Sequence, residues 1–362
     1  MRVVHYYPRA FVGDGGMTRA VRKLAEASAS AGASVAIVYA EGAETQREAR
    51  ASKLVDWIPI RHAGAGRLSA PLHPRHALTG ADVLVLHSAW TVGNVRFGAA
   101  ARELGIPYVL APRGAYDPRI VRRHATAKRL WWRLYERDLV LGARGIHVFF
   151  GSERAHLEAL GYRGPLVVAP NGVEPPAGVR WGGGSGEYVL WFGRFDPEHK
   201  GLDLLLCAMR TLAPAERPRL RLLGPDWRGR KQQVRRMVRE LGLDGDVVIG
   251  DPVHGATKWQ TLAHASGFVY PSRWEAFGNS TAEAASIGVP TLVTPYPLGM
   301  HLAERGGAFL AQPSADGLAE GLRRLRSADA CAVGARGAEI AAQDLAWPFI
   351  GERWLRQVGE IV

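Results

Sequence analysis

Two cysteines in 362 residues, Cys207 and Cys331, are too few for a disulfide framework or a cysteine-based metal site. No apolar run approaches the ~20 residues that cross a bilayer. The opening Met1-Arg2-Val3-Val4-His5-Tyr6 reads as a first strand rather than a targeting signal, so a cytoplasmic location is expected. Neither a GxGxxG fingerprint nor a Walker loop occurs, which removes the motif basis for dinucleotide or ATP binding. No nucleic-acid recognition motif is present. Low-complexity sequence is confined to Gly182-Gly183-Gly184-Ser185-Gly186, which reads as a flexible loop. Lysine is scarce, with 6 residues against 40 arginines.

What remains is the composition of a globular protein, 47% hydrophobic and long enough for two domains with separate cores. The net charge of +12 is unevenly placed: residues 1–170 hold 24 Lys and Arg against 13 Asp and Glu, and the rest 22 against 21. A basic first half suits an anionic substrate or surface, such as a membrane or a phosphorylated acceptor. A GC-rich genome, which favours arginine, accounts for the excess equally well.

Apolar strand-like runs alternate with helical stretches throughout. In the first half they are Arg2 to Tyr7, Ser34 to Ala40, Val83 to His87, Tyr108 to Ala111 and Gly145 to Phe150. The second half repeats the pattern with Tyr188 to Gly193, Arg219 to Gly224, Val247 to Gly250, Gly267 to Pro271 and Pro290 to Thr294. Such alternation predicts an α/β protein with two Rossmann-like, doubly wound parallel sheets. The turn-rich crossing Val168 to Pro176 places the boundary near Asn171, giving domains of residues 1–170 and 171–346. The amphipathic segment 347–362 is expected to return to the first domain.

Several segments could carry chemistry. Gly13, Gly15 and Gly16 lie where the first strand turns into a helix, which permits close backbone approach to an anion. His87 ends a strand, and ligands of open α/β sheets bind outside the carboxyl ends of strands. Arg194 and Lys200 occupy the stretch after the strand at Tyr188. Past the strand at Gly267 comes Ser272-Arg273-Trp274-Glu275-Ala276-Phe277-Gly278-Asn279-Ser280-Thr281-Ala282-Glu283, two carboxylates at the entry to a helix. A phosphate suits such a helix start, and carboxylates beside it would accept hydrogen bonds from sugar hydroxyls. Glu283 has a second reading, as the last member of a capping box begun by Ser280.

The Glu275-to-Glu283 spacing resembles the Glu, seven residues, Glu signature of the retaining family-four glycosyltransferases, whose GT-B fold has two Rossmann-like domains facing across a cleft. The stretch Trp191 to Gly201 and the Pro170-Asn171-Gly172-Val173 crossing resemble the same family. The resemblance implies transfer of a sugar from a nucleoside diphosphate donor, without a metal and without a further cofactor. It implies that Arg194 and Lys200 neutralise the leaving diphosphate, that Glu275 orients the sugar and Glu283 the ribose, and that His87 lies near the reacting centre. Gly15, Gly16, Phe277, Gly278 and Asn279 would line the donor site. Tyr296-Pro297-Leu298-Gly299-Met300 departs from the family's small residues and leaves base and sugar open. A GT-B epimerase or phosphorylase, or a non-enzymatic binder of anionic surfaces, stands as the alternative.

One basic stretch carries Arg119, Arg122, Arg123, Lys128, Arg129, Arg133 and Arg137 between Ile120, Leu130, Trp131, Trp132 and Leu134. A helix of this kind can lie on an anionic membrane, making the protein peripheral on its inner face. Equally, it can be a domain helix that buries Leu130 and Leu134 while its arginines stay solvated. Just upstream, Arg113 sits in a loop resembling one on the acceptor side of family members. It is a candidate acceptor contact.

Overall fold

A computed structural model describes residues 1–11, 15–42 and 52–362. Val12, Gly13 and Asp14, part of the expected glycine loop, lie outside the described residues. The chain divides into two compact units, Met1–Gly172 with Trp347–Val362, and Val173–Ala346.

The first unit is built on β1 (Arg2–Tyr6), β2 (Ser34–Ala40), β3 (Asp56–Ile60), a small antiparallel pair β4 (His62–Ala63) and β5 (Ala70–Pro71), β6 (Val83–His87), β7 (Tyr108–Ala111), β8 (Gly145–Val148) and β9 (Leu166–Val168). Its main sheet is parallel throughout, in the order β3-β2-β1-β6-β7-β8-β9. Parallel sheets are covered on both faces, so their strands are apolar along their whole length. That holds here: Val3, Val35, Val83 and Val109 face one core, while Val4, Ala36, Leu84 and Leu110 face the other. The helix Trp347–Gly359 belongs to this unit and packs on the helix Gly16–Ser30 through Ile350, Trp354 and Val358.

The second unit contains β10 (Tyr188–Phe192), β11 (Arg219–Leu223), β12 (Val247–Gly250), β13 (Gly267–Tyr270), β14 (Thr291–Val293) and β15 (Phe309–Leu310), all parallel in the order β12-β11-β10-β13-β14-β15. Chain order reverses between β1 and β6 in one sheet and between β10 and β13 in the other. In doubly wound sheets these reversals are where loops diverge and ligands enter. Every strand expected from the sequence is present, four with the expected bounds and six trimmed at one or both ends. Missing from the expectation were β3, which carries a proline, and the strands of two or three residues β4, β5, β9 and β15.

Among the described residues, no helix is long and apolar enough to cross a membrane. Cys207 and Cys331 are free thiols exposed on helices, not packed in apolar settings.

Candidate functional site

In the second unit, the loops after β10 and β13 flank the point where chain order reverses. Lys200 ends the short helix Pro197–Lys200, and Gly201 follows it at φ +64. A side chain at Gly201 would strike the Pro271 carbonyl at 2.0 Å, so only glycine lets the two loops close on each other. This approach brings Lys200 to Glu275. The ammonium is buried, hydrogen-bonds the Glu275 carboxylate and donates to the Tyr270 hydroxyl at 3.0 Å.

Glu275 is fixed from several sides. Ser272 Oγ donates to its Oε1 at 2.6 Å, and His199 Nε2 lies 3.6 Å from the same oxygen. Burial would raise the pKa of this carboxyl, but Lys200, His199 and the hydrogen bonds from Lys200 and Ser272 outweigh it and hold the group below the usual carboxylate range. The ring of His199 stacks on Trp274 at 4.3 Å and donates from Nε2 to the Trp274 carbonyl at 2.9 Å. Burial, then Lys200, pull its pKa down to about 4, against the opposing pull of Glu275, so the ring is neutral. The loop itself is clamped by Arg273, whose two terminal nitrogens meet the Asp203 carboxylate at 2.7 and 2.6 Å.

The loop ends in the helix Asn279–Ser286, capped by Gly278 at φ 101. Only glycine takes that conformation without strain. Here the capping-box reading fails: Ser280 lies inside the helix, and Glu283 instead forms a buried ion pair with Lys258 of the helix Gly255–His264. Phe277 is buried against the fold, and Asn279 opens the helix. Tyr296, where the sequence departs from the family pattern, is buried with its hydroxyl 2.7 Å from Thr281 Oγ1. Its ring lies 3.1 Å from where a Gly278 side chain would begin, so the residue props the helix start. Arg194, exposed after β10, lays its guanidinium 4.4 Å over the Trp227 ring. Arg194 and the helix start supply positive potential, while the Lys200–Glu275 and Lys258–Glu283 pairs supply paired donors and acceptors.

In the first unit, His87 is almost fully buried at the end of β6 and both ring nitrogens are engaged. Nε2 lies 2.9 Å from His5 Nδ1, and Arg113 Nη2 lies 3.4 Å from Nδ1. Burial, followed by the Arg113 charge, drops the pKa of His87 far below its ordinary value and that of His5 to about 3. A guanidinium only donates, so neutral His87 accepts at Nδ1 and donates from Nε2 to His5. Asn94 Nδ2 donates to the carbonyls of His87 and Ser88 at 3.2 and 3.1 Å and fixes the turn that follows. Gly15 precedes the helix Gly16–Ser30 as its N-cap, with nothing within 4 Å of a side chain built there. The ends of that helix and of β6 adjoin the reversal between β1 and β6.

The basic stretch is not one helix. Pro118–Val121 and Ala125–Trp131 are separated at His124, which has φ 57, and a wide turn Trp132–Glu136 leads into Arg137–Leu141. Trp131 and Trp132 pack on the core, but Leu130 and Leu134 are 61% and 56% exposed, contrary to the buried domain-helix reading. Glu136 is buried beneath, accepting from Trp90 N–H, Tyr116 Oη and Trp131 Nε1 at 2.8 to 2.9 Å.

Sequence reasoning missed Lys258, His199, His5 and Glu136. Scarcity of lysine and a histidine inside the apolar strand β1 were the available signals.

Two parallel, doubly wound sheets of this order define the GT-B fold. Sucrose-phosphate synthase from Thermosynechococcus elongatus shares it with a TM-score of 0.76 at 20% identity, over 99% of this chain and 97% of that one. Anabaena HepE in complex with UDP and glucose gives 0.75 at 18% identity, over 99% and 100%. A sequence model described as Glycosyl transferases group 1 matches residues 186–328, and one described as Glycosyl transferase 4-like domain matches residues 15–172. The chain therefore belongs to the group 1 glycosyl transferases and is a transferase enzyme. A GDP-mannose:cellobiosyl-diphosphopolyprenol alpha-mannosyltransferase of Xanthomonas oryzae pv. oryzae is 24% identical over 315 residues, 85% of this chain and 82% of the relative.

Proposed function

We propose that this glycosyltransferase takes a sugar from a nucleoside diphosphate donor held by the second unit and passes it, with retention of configuration, to an acceptor held by the first. The carrying observation is the buried Lys200–Glu275 pair, assembled from loops on either side of the β10/β13 reversal. Breakage of the bond between sugar C1 and phosphate leaves charge on the diphosphate, which Arg194 and Lys200 neutralise together with the N–H groups that open the helix at Asn279. A phosphate oxygen of the departing group takes the acceptor hydroxyl proton while the acceptor oxygen bonds to C1 on the same face. Glu275 orients the sugar hydroxyls and Glu283 the ribose. His87, with both nitrogens engaged, acts by positioning Arg113 rather than by touching the sugar. HepE is solved with UDP and with UDP-glucose, and the Xanthomonas relative is named for GDP-mannose, so a nucleoside diphosphate is the shared donor chemistry.

A thermal-shift panel of UDP, GDP, ADP and their sugars tests this reading. A ligand at 100 times its Kd stabilises by about 2.7 kcal/mol, a rise of several degrees. If no nucleoside diphosphate stabilised the protein at millimolar concentration, the donor assignment would fail.

For localisation, we propose that residues 118–141 rest on an anionic lipid surface. Leu130, Leu134 and Tyr135 are exposed beside Arg122, Arg123, Arg129, Arg133 and Arg137, a pairing of apolar side chains and cations that suits headgroups over acyl chains. The protein should float with phosphatidylglycerol vesicles and not with phosphatidylcholine alone, and Leu130→Ser with Leu134→Ser should abolish flotation. Equal flotation of that variant would remove the assignment.

A further inference from the structure

Arg113 is the first unit's unusual cation. It follows β7, which neighbours β6 in the sheet, and its backbone has φ 54. Ser88 and Trp90, in the turn after β6, have φ 74 and 60. Three non-glycine residues in the left-handed region, all beyond the carboxyl ends of two adjacent strands, mark a site whose backbone is held against its own preference.

The Arg113 guanidinium is gripped by neutral groups. Nη1 donates to Asn171 Oδ1 at 3.0 Å, Nη2 reaches His87 Nδ1, and the plane lies 5.4 Å from the Phe149 ring centre. Among the described residues no carboxylate forms an ion pair with it, and its buried Nε has no partner. Nearby Glu153 does not neutralise it: Glu153 Oε1 is committed to the N–H groups of Phe149 and Phe150 at 2.7 and 3.3 Å, and burial pushes its pKa up to about 7. Burial also lowers the pKa of Arg113 to about 10, the mark of a cation without its counter-charge. A cation left this way is costly unless an anion completes it.

We propose that Arg113 is an anion-binding residue and that the acceptor of this transferase carries a phosphate or diphosphate that pairs with it. The inference rests on the transferase reading for the word acceptor, but not for the subsite. His87 and Asn171 are positioning residues that aim the guanidinium. Because their partners are neutral, the full charge of Arg113 is available to the ligand. Each terminal nitrogen keeps one N–H beyond those directed at Asn171 and His87, and this planar fork can meet a phosphate through two donors at once.

The test titrates inorganic pyrophosphate into the full-length protein by calorimetry, with and without a saturating nucleoside diphosphate chosen by thermal shift. Pyrophosphate should bind with the nucleotide present. Arg113→Gln should weaken that event at least tenfold, Arg113→Lys by less, and Arg336→Ala, at an exposed position of the second unit, should leave it unchanged. Nucleotide affinity should be the same in Arg113→Gln as in the parent. Geranyl diphosphate separates the sources: tighter binding than pyrophosphate at the Arg113-dependent site supports a lipid phosphate, and equal binding supports a soluble one. Undiminished pyrophosphate binding by Arg113→Gln overturns the proposal, as does a tenfold loss of nucleotide affinity, which would give Arg113 to the donor. Should Arg113→Gln fail to fold, Arg113→Lys carries the comparison, and unchanged affinity there overturns the bidentate contact. If no nucleotide binds, the donor reading falls, while the nucleotide-free titration still decides the subsite.

Discussion

The two units bury charge in opposite ways at corresponding edges of the same kind of sheet. In the second unit every lysine is matched to an acid: Lys200 to Glu275, Lys258 to Glu283 and Lys231 to Asp251. In the first, three neutral histidines, His5, His87 and His147, are buried around one arginine with no acid bound to it. Paired charges hold a carboxylate ionised and ready to accept hydroxyl donors, at no net charge. Neutral partners leave a cation's full field exposed to whatever binds. Under the proposed function the paired charges serve the donor side and the uncompensated cation serves the acceptor side.

The largest expected effect is acid sensitivity of the first unit. His5, His87 and His147 have folded pKa values below the unfolded value of 6.5, so the unfolded chain binds more protons as pH falls and stability drops below pH 6.5. For His5 alone the loss is complete near its folded value of about 3 and amounts to about 5 kcal/mol, at 1.36 kcal/mol per pH unit. The second unit has one comparable ring, His199, at about 4. Hydrogen exchange between pH 7 and 5 should open β1, β6 and β8 before β10 and β13. The reverse order would break the comparison.

Next comes the Lys258–Glu283 pair. Lys258→Met removes the cation from a carboxylate whose side chain is only 12% exposed, which costs about 3–5 kcal/mol, and adding Glu283→Gln should recover most of it. Urea denaturation of the single and double variants checks this. Additive losses would mean the pair is not a unit. A kinetic effect of similar size is expected from Glu275→Gln, which keeps the acceptor for Ser272 but not the charge: turnover should fall by about 10²–10³, equivalent to about 2.7–4 kcal/mol, with circular dichroism unchanged.

Much of this contrast was readable from sequence only on one side. Glu275, Arg194 and Lys200 sit in the connections that follow apolar strands, where residues of unusual type announce themselves. The strands and their parallel arrangement followed from alternation, because both faces of a parallel sheet must be apolar, but their order in each sheet did not. Glu283 was ambiguous between a capping box and a ribose contact, and the capping box falls only once Gly278 is seen to cap the helix at φ 101. His5 and His87 are 82 positions apart and Arg113 and Asn171 are 58 apart, so no local pattern links them. Their association depends on strand register, which a single sequence states weakly. The exposure of Leu130 and Leu134 was equally hidden, because it depends on the break at His124.

The smallest predicted effect sharpens the first unit's side. Glu153 has a folded pKa of about 7 against 4.5, because burial outweighs the two backbone N–H bonds and the pull of Arg113. The native state therefore holds its proton between pH 4.5 and 7, so stability from this group is present below pH 4.5 and is lost as pH rises through 7. Above that, ionised Glu153 costs about 3 kcal/mol. Glu153→Gln keeps an acceptor for the Phe149 and Phe150 N–H groups without the charge, so it should raise stability in urea at pH 8 and leave it unchanged at pH 4.5. Were Glu153 instead the counter-ion of Arg113, the same substitution would destabilise at pH 8, and the unit would resemble its neighbour after all.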